Sequence, residues 1–143
     1  MQPFNVMALF CKDIYEEEDG GYTLVRVLRN AVNLPGKAPG ALPKLIIYIR
    51  INFIPTFDLG EAKARMVMPS GETIPLWTFD AGWVRNAQES AQASGSPLAG
   101  VLSRIIIGGF QPPSSGTVSV EVEIKGETYL AGALTFVPEE SSG

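Results

Sequence analysis

Apolar and polar side chains alternate along most of this chain with the period of two that marks a strand covered on one face. The strongest run is Lys44 to Phe53. Leu45, Ile47, Ile49, Ile51 and Phe53 share one parity, while Lys44, Ile46, Tyr48, Arg50 and Asn52 share the other. The first set is rich in β-branched residues, which favour a pleated strand over a helix. Glu61 to Met68 alternates as cleanly, with Ala62, Ala64, Met66 and Met68 against charged neighbours. Ile74 to Phe79 predicts a short strand, and Pro75 near its start assigns it to a sheet edge. Phe4 to Cys11 is apolar on both parities, as in a strand covered on both faces. Tyr22 to Leu28 resumes the alternation with Thr23, Val25 and Val27 on one parity. The turn between these two strands carries Glu16-Glu17-Glu18-Asp19-Gly20-Gly21, so they read as a hairpin with a solvated acidic tip.

Near the end, Val118, Val120, Val122 and Ile124 face one way, and Leu130, Gly132, Leu134 and Phe136 return on one parity. Keeping those two sets together places Val122 opposite Leu130, which demands a three-residue turn, Lys125-Gly126-Glu127, or a bulge. Only one segment has helical spacing. Trp83, Val84, Ala87 and Ala91 follow the N-cap candidate Asp80, and Gly95 and Pro97 end the helix. Leu98 to Ile107 fits a short helix or a strand. Residues 34–43 and 108–116 are loops by their proline and glycine content, long enough to cross between two sheets.

Short strands without βαβ alternation predict a mainly β fold: an antiparallel β-sandwich, immunoglobulin-like or a similar Greek key, of six to eight strands with one inserted short α-helix. The length of 143 residues suits one domain, residues 1–138, followed by a flexible tail at 139–143.

Composition narrows the chemistry. The chain has no histidine and a single cysteine, Cys11. It therefore holds no Ser-His-Asp or Cys-His arrangement and no intrachain disulfide. A net charge of -4 argues against non-specific nucleic-acid binding. No apolar stretch approaches the length of a membrane span, and the opening residues lack a basic leader, so a cytoplasmic protein is expected, or one released by lysis if viral. No cofactor and no metal are expected. The acidic run at Glu16–Asp19 lacks the alternating ligand pattern of a calcium loop, and Gly108-Gly109 lacks the signature of a phosphate loop. Cys11 lies in an apolar segment, where a thiol is inert.

Two clusters remain. Tyr48, Arg50 and Asn52 share a strand face and could hold a phosphate or carboxylate, unless that face is merely an outward one with its arginine paired to Glu61, Glu121 or Glu123. Trp77, Phe79 and Trp83 lie within seven residues around Asp80, forming a core plug or a contact patch.

Three stretches carry a resemblance. They are Met1-Gln2-Pro3-Phe4-Asn5-Val6-Met7-Ala8-Leu9-Phe10-Cys11, the block from Leu34 through Pro39-Gly40-Ala41-Leu42-Pro43-Lys44-Leu45 into Tyr48-Ile49-Arg50, and Pro97-Leu98-Ala99-Gly100. Together they resemble a family of short bacterial and phage-associated proteins of unknown function, over most of the chain. The resemblance implies a single-domain cytosolic protein of a bacterium or phage, and no activity or site residues.

The leading expectation is a non-enzymatic module that binds another protein or assembles with copies of itself. Apolar residues on both parities of Phe4–Cys11 and Leu45–Tyr48 call for cover that a subunit could supply. The alternative is a nucleotide-like anion held by Tyr48 and Arg50. A third reading is a hydrolase that works with carboxylates and a divalent metal.

Overall fold

A computed structural model describes residues 2–28, 31–34, 42–110, 113 and 115–138. Along the chain these form β1 (Phe4–Glu16), β2 (Tyr22–Val27), β3 (Ala31–Leu34), β4 (Leu42–Phe53), β5 (Ala62–Val67), β6 (Thr73–Phe79), α1 (Ala81–Ser94), β7 (Ala99–Phe110), β8 (Gly116–Ile124) and β9 (Glu127–Pro138). A four-stranded sheet runs in the order β2-β1-β4-β7, and a five-stranded sheet in the order β3-β9-β8-β5-β6. The β-sandwich with one inserted helix is thus the architecture that the alternation predicts. Eight strands make the antiparallel pairs. The ninth, β3, adds parallel to β9. Its four residues are too few to show an alternation of their own. Residues 34–43 and 108–116 do join strands of different sheets. The tail expected at 139–143 lies outside the described residues.

The core sits between the sheets. Leu45, Ile47, Ile49, Ile51 and Phe53 of β4 meet Ala62, Ala64 and Met66 of β5 and Val118, Val120, Val122 and Ile124 of β8 in one buried cluster. The sheets approach closely where β1 crosses β9. A Cβ built on Gly132 would lie 2.5 Å from the Ala8 carbonyl oxygen, so only glycine admits this approach.

The β8–β9 turn differs from the expected one. It has two residues, Lys125 and Gly126, both at positive φ (52° and 79°), the geometry that matches the twist of a hairpin. Val122 therefore pairs with Tyr129. A bulge then restores the alternation: Glu121 pairs with Leu130 and Val120 with Gly132, which leaves Ala131 as the extra residue. Leu130 is consequently outward and 65% exposed, while Tyr129 packs its ring edge-on to Phe4.

Asp80 caps α1, accepting a hydrogen bond from the Trp83 backbone N–H at 2.8 Å, and Gly95 ends the helix in the left-handed region. Val84 and Ala91 are buried against the core. Gln88 and Gln92 donate to the Pro55 carbonyl at 2.6 and 2.9 Å, pinning the helix to the loop after β4. The helix links β6, an edge of one sheet, to β7, an edge of the other. The ambiguous segment after it is strand from Ala99 onward, and Gly108 to Phe110 extend it. A long register with β4, from Phe53–Ala99 to Leu42–Phe110, overrides the glycines there.

Candidate functional site

The outer face of the four-stranded sheet is where β1 determines most. Its first half pairs with β4 as far as Cys11–Ile46, and its second half pairs with β2 alone. The β1–β2 hairpin thereby leaves the sheet plane and lies across the outer face. Ile14 from β1 and Leu24 and Tyr22 from β2 pack on Ile46, Tyr48, Cys11 and Leu102 in a second, smaller core. Lys44 Nζ bonds Asp13 Oδ1 at 2.8 Å beside it. The cover expected from another subunit thus comes from the chain itself, at this part of the face. Burial pushes the Cys11 thiol pKa up, and the nearby Asp13 charge adds to the effect.

These contacts set the surroundings of the predicted anion site. Tyr48 is buried beneath the hairpin, so the triad Tyr48, Arg50 and Asn52 does not form an open surface. Arg50 and Asn52 remain half-buried and bond each other, Nε to Oδ1 at 2.9 Å. Both lie against Gly100 of β7, where an added Cβ would sit 3.1 Å from Asn52 Oδ1 and 3.4 Å from Arg50 Nη2. Among the described residues no carboxylate pairs with Arg50. The arginine that pairs with Glu121 and Glu123 is Arg65, on the other sheet.

The aromatic cluster also divides. Phe79 is fully buried and belongs to the core, which removes it from any contact surface. Its parity on β6 points it inward, opposite Ala62. Trp83, on the first turn of α1, lies over Phe79 with its ring tilted by 40° at 5.6 Å and meets Trp77 edge-to-face at 6.2 Å. Trp77 is 41% exposed and Trp83 38%. Together they form a raised aromatic corner where β6 turns into α1.

Between that corner and the hairpin tip runs a groove of about 450 Å³. Five consecutive residues of β7, Gly100 to Arg104, line it; Trp77 and Trp83 stand on one side, and Gly20 and Tyr22 of the hairpin on the other. Arg104 extends over the Tyr22 ring at 5.0 Å and reaches Glu16 at 3.8 Å, which ties the hairpin down to β7. The tip is braced by Gly20 N–H to Glu17 O, Gly21 N–H to Asp19 Oδ1, and Thr23 Oγ1 to Glu17 Oε1. Its acidic side chains, Glu16 to Asp19, are exposed.

Sequence reasoning found the two tryptophans but not Gly20, Tyr22, Gly100 or Arg104. They come from two segments far apart in the chain, and no local pattern joins them to each other or to the tryptophans. Chemically the groove offers aromatic faces, a guanidinium already engaged and a strand edge. Among the described residues no three ligating side chains converge for a metal ion, and none of the helices is long and apolar enough to cross a membrane. No family model matches this chain, and no curated protein matches it in sequence.

Proposed function

We propose that this protein is a non-catalytic binding module whose sandwich serves as an immunoglobulin-like platform for contact with another protein or with a second copy, in a bacterium or phage. The observation that carries the reading is the exposed Trp77–Trp83 corner beside the groove along β7. Tryptophan is enriched at the energetic centres of protein interfaces because it buries a large rigid surface at little entropic cost. The inner core does not need either ring fully enclosed, since Phe79 already fills the space beneath Trp83.

Sedimentation velocity across micromolar concentrations, on the wild type and on a Trp77→Ala/Trp83→Ala double variant, tests the self-assembly arm. Affinity capture with the same two proteins tests the partner arm. A complex that forms with the wild type and not with the double variant is expected. A strict monomer that retains the same companions with or without the two rings would sink the reading. Neighbouring genes that encode virion parts would favour assembly.

A second reading rests on Arg50, whose guanidinium has Asn52 as its partner and no carboxylate among the described residues. It would hold a nucleotide-like anion beside Gly100. A thermal-shift screen against nucleotides should then raise the melting temperature, and Arg50→Ala should abolish the rise.

A further inference from the structure

Each sheet of a sandwich ends in two edges, and an unpaired edge is a template for a further strand unless something blunts it. Three of the four edges here are blunted. β6 carries Pro75 and a bulge, since Ala64 pairs with Trp77 while Arg65 pairs with Pro75, leaving Leu76 unmatched. β2 has only six residues, and Arg26 within it adopts a positive φ of 53°. β3 has only four residues. β7 is different. From Ala99 to Gly108 it contains no proline, and its register with β4 is unbroken. Among the described residues no strand pairs with its other edge. Its outward-facing side chains alternate apolar and charged, with Leu102 half-buried and Ile106 55% exposed on either side of Arg104, and Leu98, just before the strand, is 52% exposed.

That free edge is also the wall of the groove. Five consecutive residues, Gly100 to Arg104, line the groove, together with Trp77 and Trp83 from the β6–α1 corner and Gly20 and Tyr22 from the hairpin. A groove lined in this way suits a single extended segment better than the broad edge of a second sandwich. The charge around it selects further. Arg104 pairs with Glu16 and rests on Tyr22, whereas Glu17, Glu18 and Asp19 are exposed on the hairpin tip, immediately before the groove-lining Gly20. The tryptophan faces favour cationic or flat apolar groups.

We propose that the β7 edge takes up an extended, basic peptide segment of a partner protein as a fifth strand of the four-stranded sheet. This rests on the protein-binding reading above. The ladder to residues 100–104 supplies affinity, as in other cases of strand addition. Alternate side chains lie beside Leu102 and Ile106, and lysine or arginine side chains reach the tryptophan faces and the acidic tip.

The test is selection of a phage-displayed random dodecapeptide library on the intact chain, followed by synthesis of the most enriched peptide. Enriched peptides should alternate and carry an excess of lysine and arginine. Affinity should fall about ten-fold or more in Trp83→Ala. N-methylation of the peptide's alternate amides should abolish binding on one parity and spare it on the other. Hydrogen exchange of the amides of residues 100–104 should slow when the peptide binds, a readout that needs no variant to fold. Peptides that depend on Trp77 and Trp83 yet tolerate methylation on both parities would overturn strand addition and leave the binding reading standing. No enrichment above a blank surface, or enrichment indifferent to both tryptophans, would overturn both. Acidic enriched peptides would overturn the proposed partner chemistry. A dimer that dissociates in Leu102→Lys would assign the edge to a second copy and overturn the peptide.

Discussion

On the outer face of the five-stranded sheet, Arg65 lies 3.5 Å from Glu121 and 3.7 Å from Glu123 and donates to Thr128 at 3.2 Å. On the outer face of the four-stranded sheet, Ile46 is fully buried and Tyr48 nearly so, beneath a hairpin. Both faces derive from strands with an equally regular inward parity. The difference lies in the second parity: charged on β5 and β8, apolar in the middle of β4. A charged second parity leaves a face content in water. An apolar one requires cover, and here β1 provides it by abandoning β4 after Cys11. That manoeuvre has a functional consequence. It carries Gly20 and Tyr22 across the sheet to β7, where they become one wall of the groove. The groove is thus a by-product of covering a greasy face.

The sharpest way to break this comparison is to truncate one apolar side chain on each face. Ile46→Ala removes a fully buried side chain from the smaller core and should cost about 2–5 kcal/mol in urea unfolding. Leu130→Ala, on the polar face, should change stability by no more than about 0.5 kcal/mol. Equal losses would mean that the hairpin contributes no real cover.

Next in size is the hairpin's hold on the face, which Cys11 reports. The thiol is fully buried, and its raised pKa further suppresses the thiolate at neutral pH. Iodoacetamide should therefore react far more slowly with the native protein than with the urea-unfolded chain. Leu24→Ala removes part of the cover from the hairpin side and should speed the native reaction by roughly ten-fold, through local opening. An unchanged rate would show that Cys11 is guarded by β4 and not by the hairpin.

The same comparison explains what could be read in advance. Asp80, the 3.6-residue spacing after it and Gly95 specify the helix locally, and every contact involved lies within one turn. The inward face of β4 was equally plain, because its parity repeats five times. The bend in β1 was not legible, since it depends on which strand each half of β1 pairs with. Parity also misled at the last hairpin: Leu130 is apolar yet points outward, and Ala131 is the extra residue that resets the register. Trp77, Phe79 and Trp83 were visible as an aromatic cluster, but their separation into one buried ring, Phe79, and two exposed ones depends on packing around α1. The other wall of the groove lies some eighty positions away in the chain from Arg104, beyond any local signal.

A smaller effect is expected from the polar face itself. Arg65→Met removes two ion pairs, but the guanidinium is about a third exposed, and pairs of this kind contribute little. The loss should be about 1 kcal/mol or less at low salt and should shrink further in 0.5 M sodium chloride, to roughly the scatter of the measurement. A large, salt-independent loss would mean that the face relies on Arg65 for packing, as the other face relies on Ile46.

The smallest effect separates the faces by pH. The Asp13 carboxyl lies at the margin of the apolar cluster, and the hydrogen bond from Lys44 Nζ, with a second from the Ile14 backbone N–H, holds its pKa below the ordinary value. As the pH falls, the unfolded chain takes up this proton first, near the usual aspartate value of about 3.9. The stabilisation is therefore complete above that pH and disappears as the pH drops through the lower folded value. In melting curves between pH 2 and 7, Asp13→Asn should melt below the wild type at neutral pH, and the gap should close below about pH 4. Lys44→Met should remove the main cause of the shift, so that its acid transition begins at higher pH than in the wild type. Parallel curves for all three proteins would show that Asp13 and Lys44 meet without affecting the fold, and would leave the hairpin anchored by its apolar contacts and by Arg104 alone.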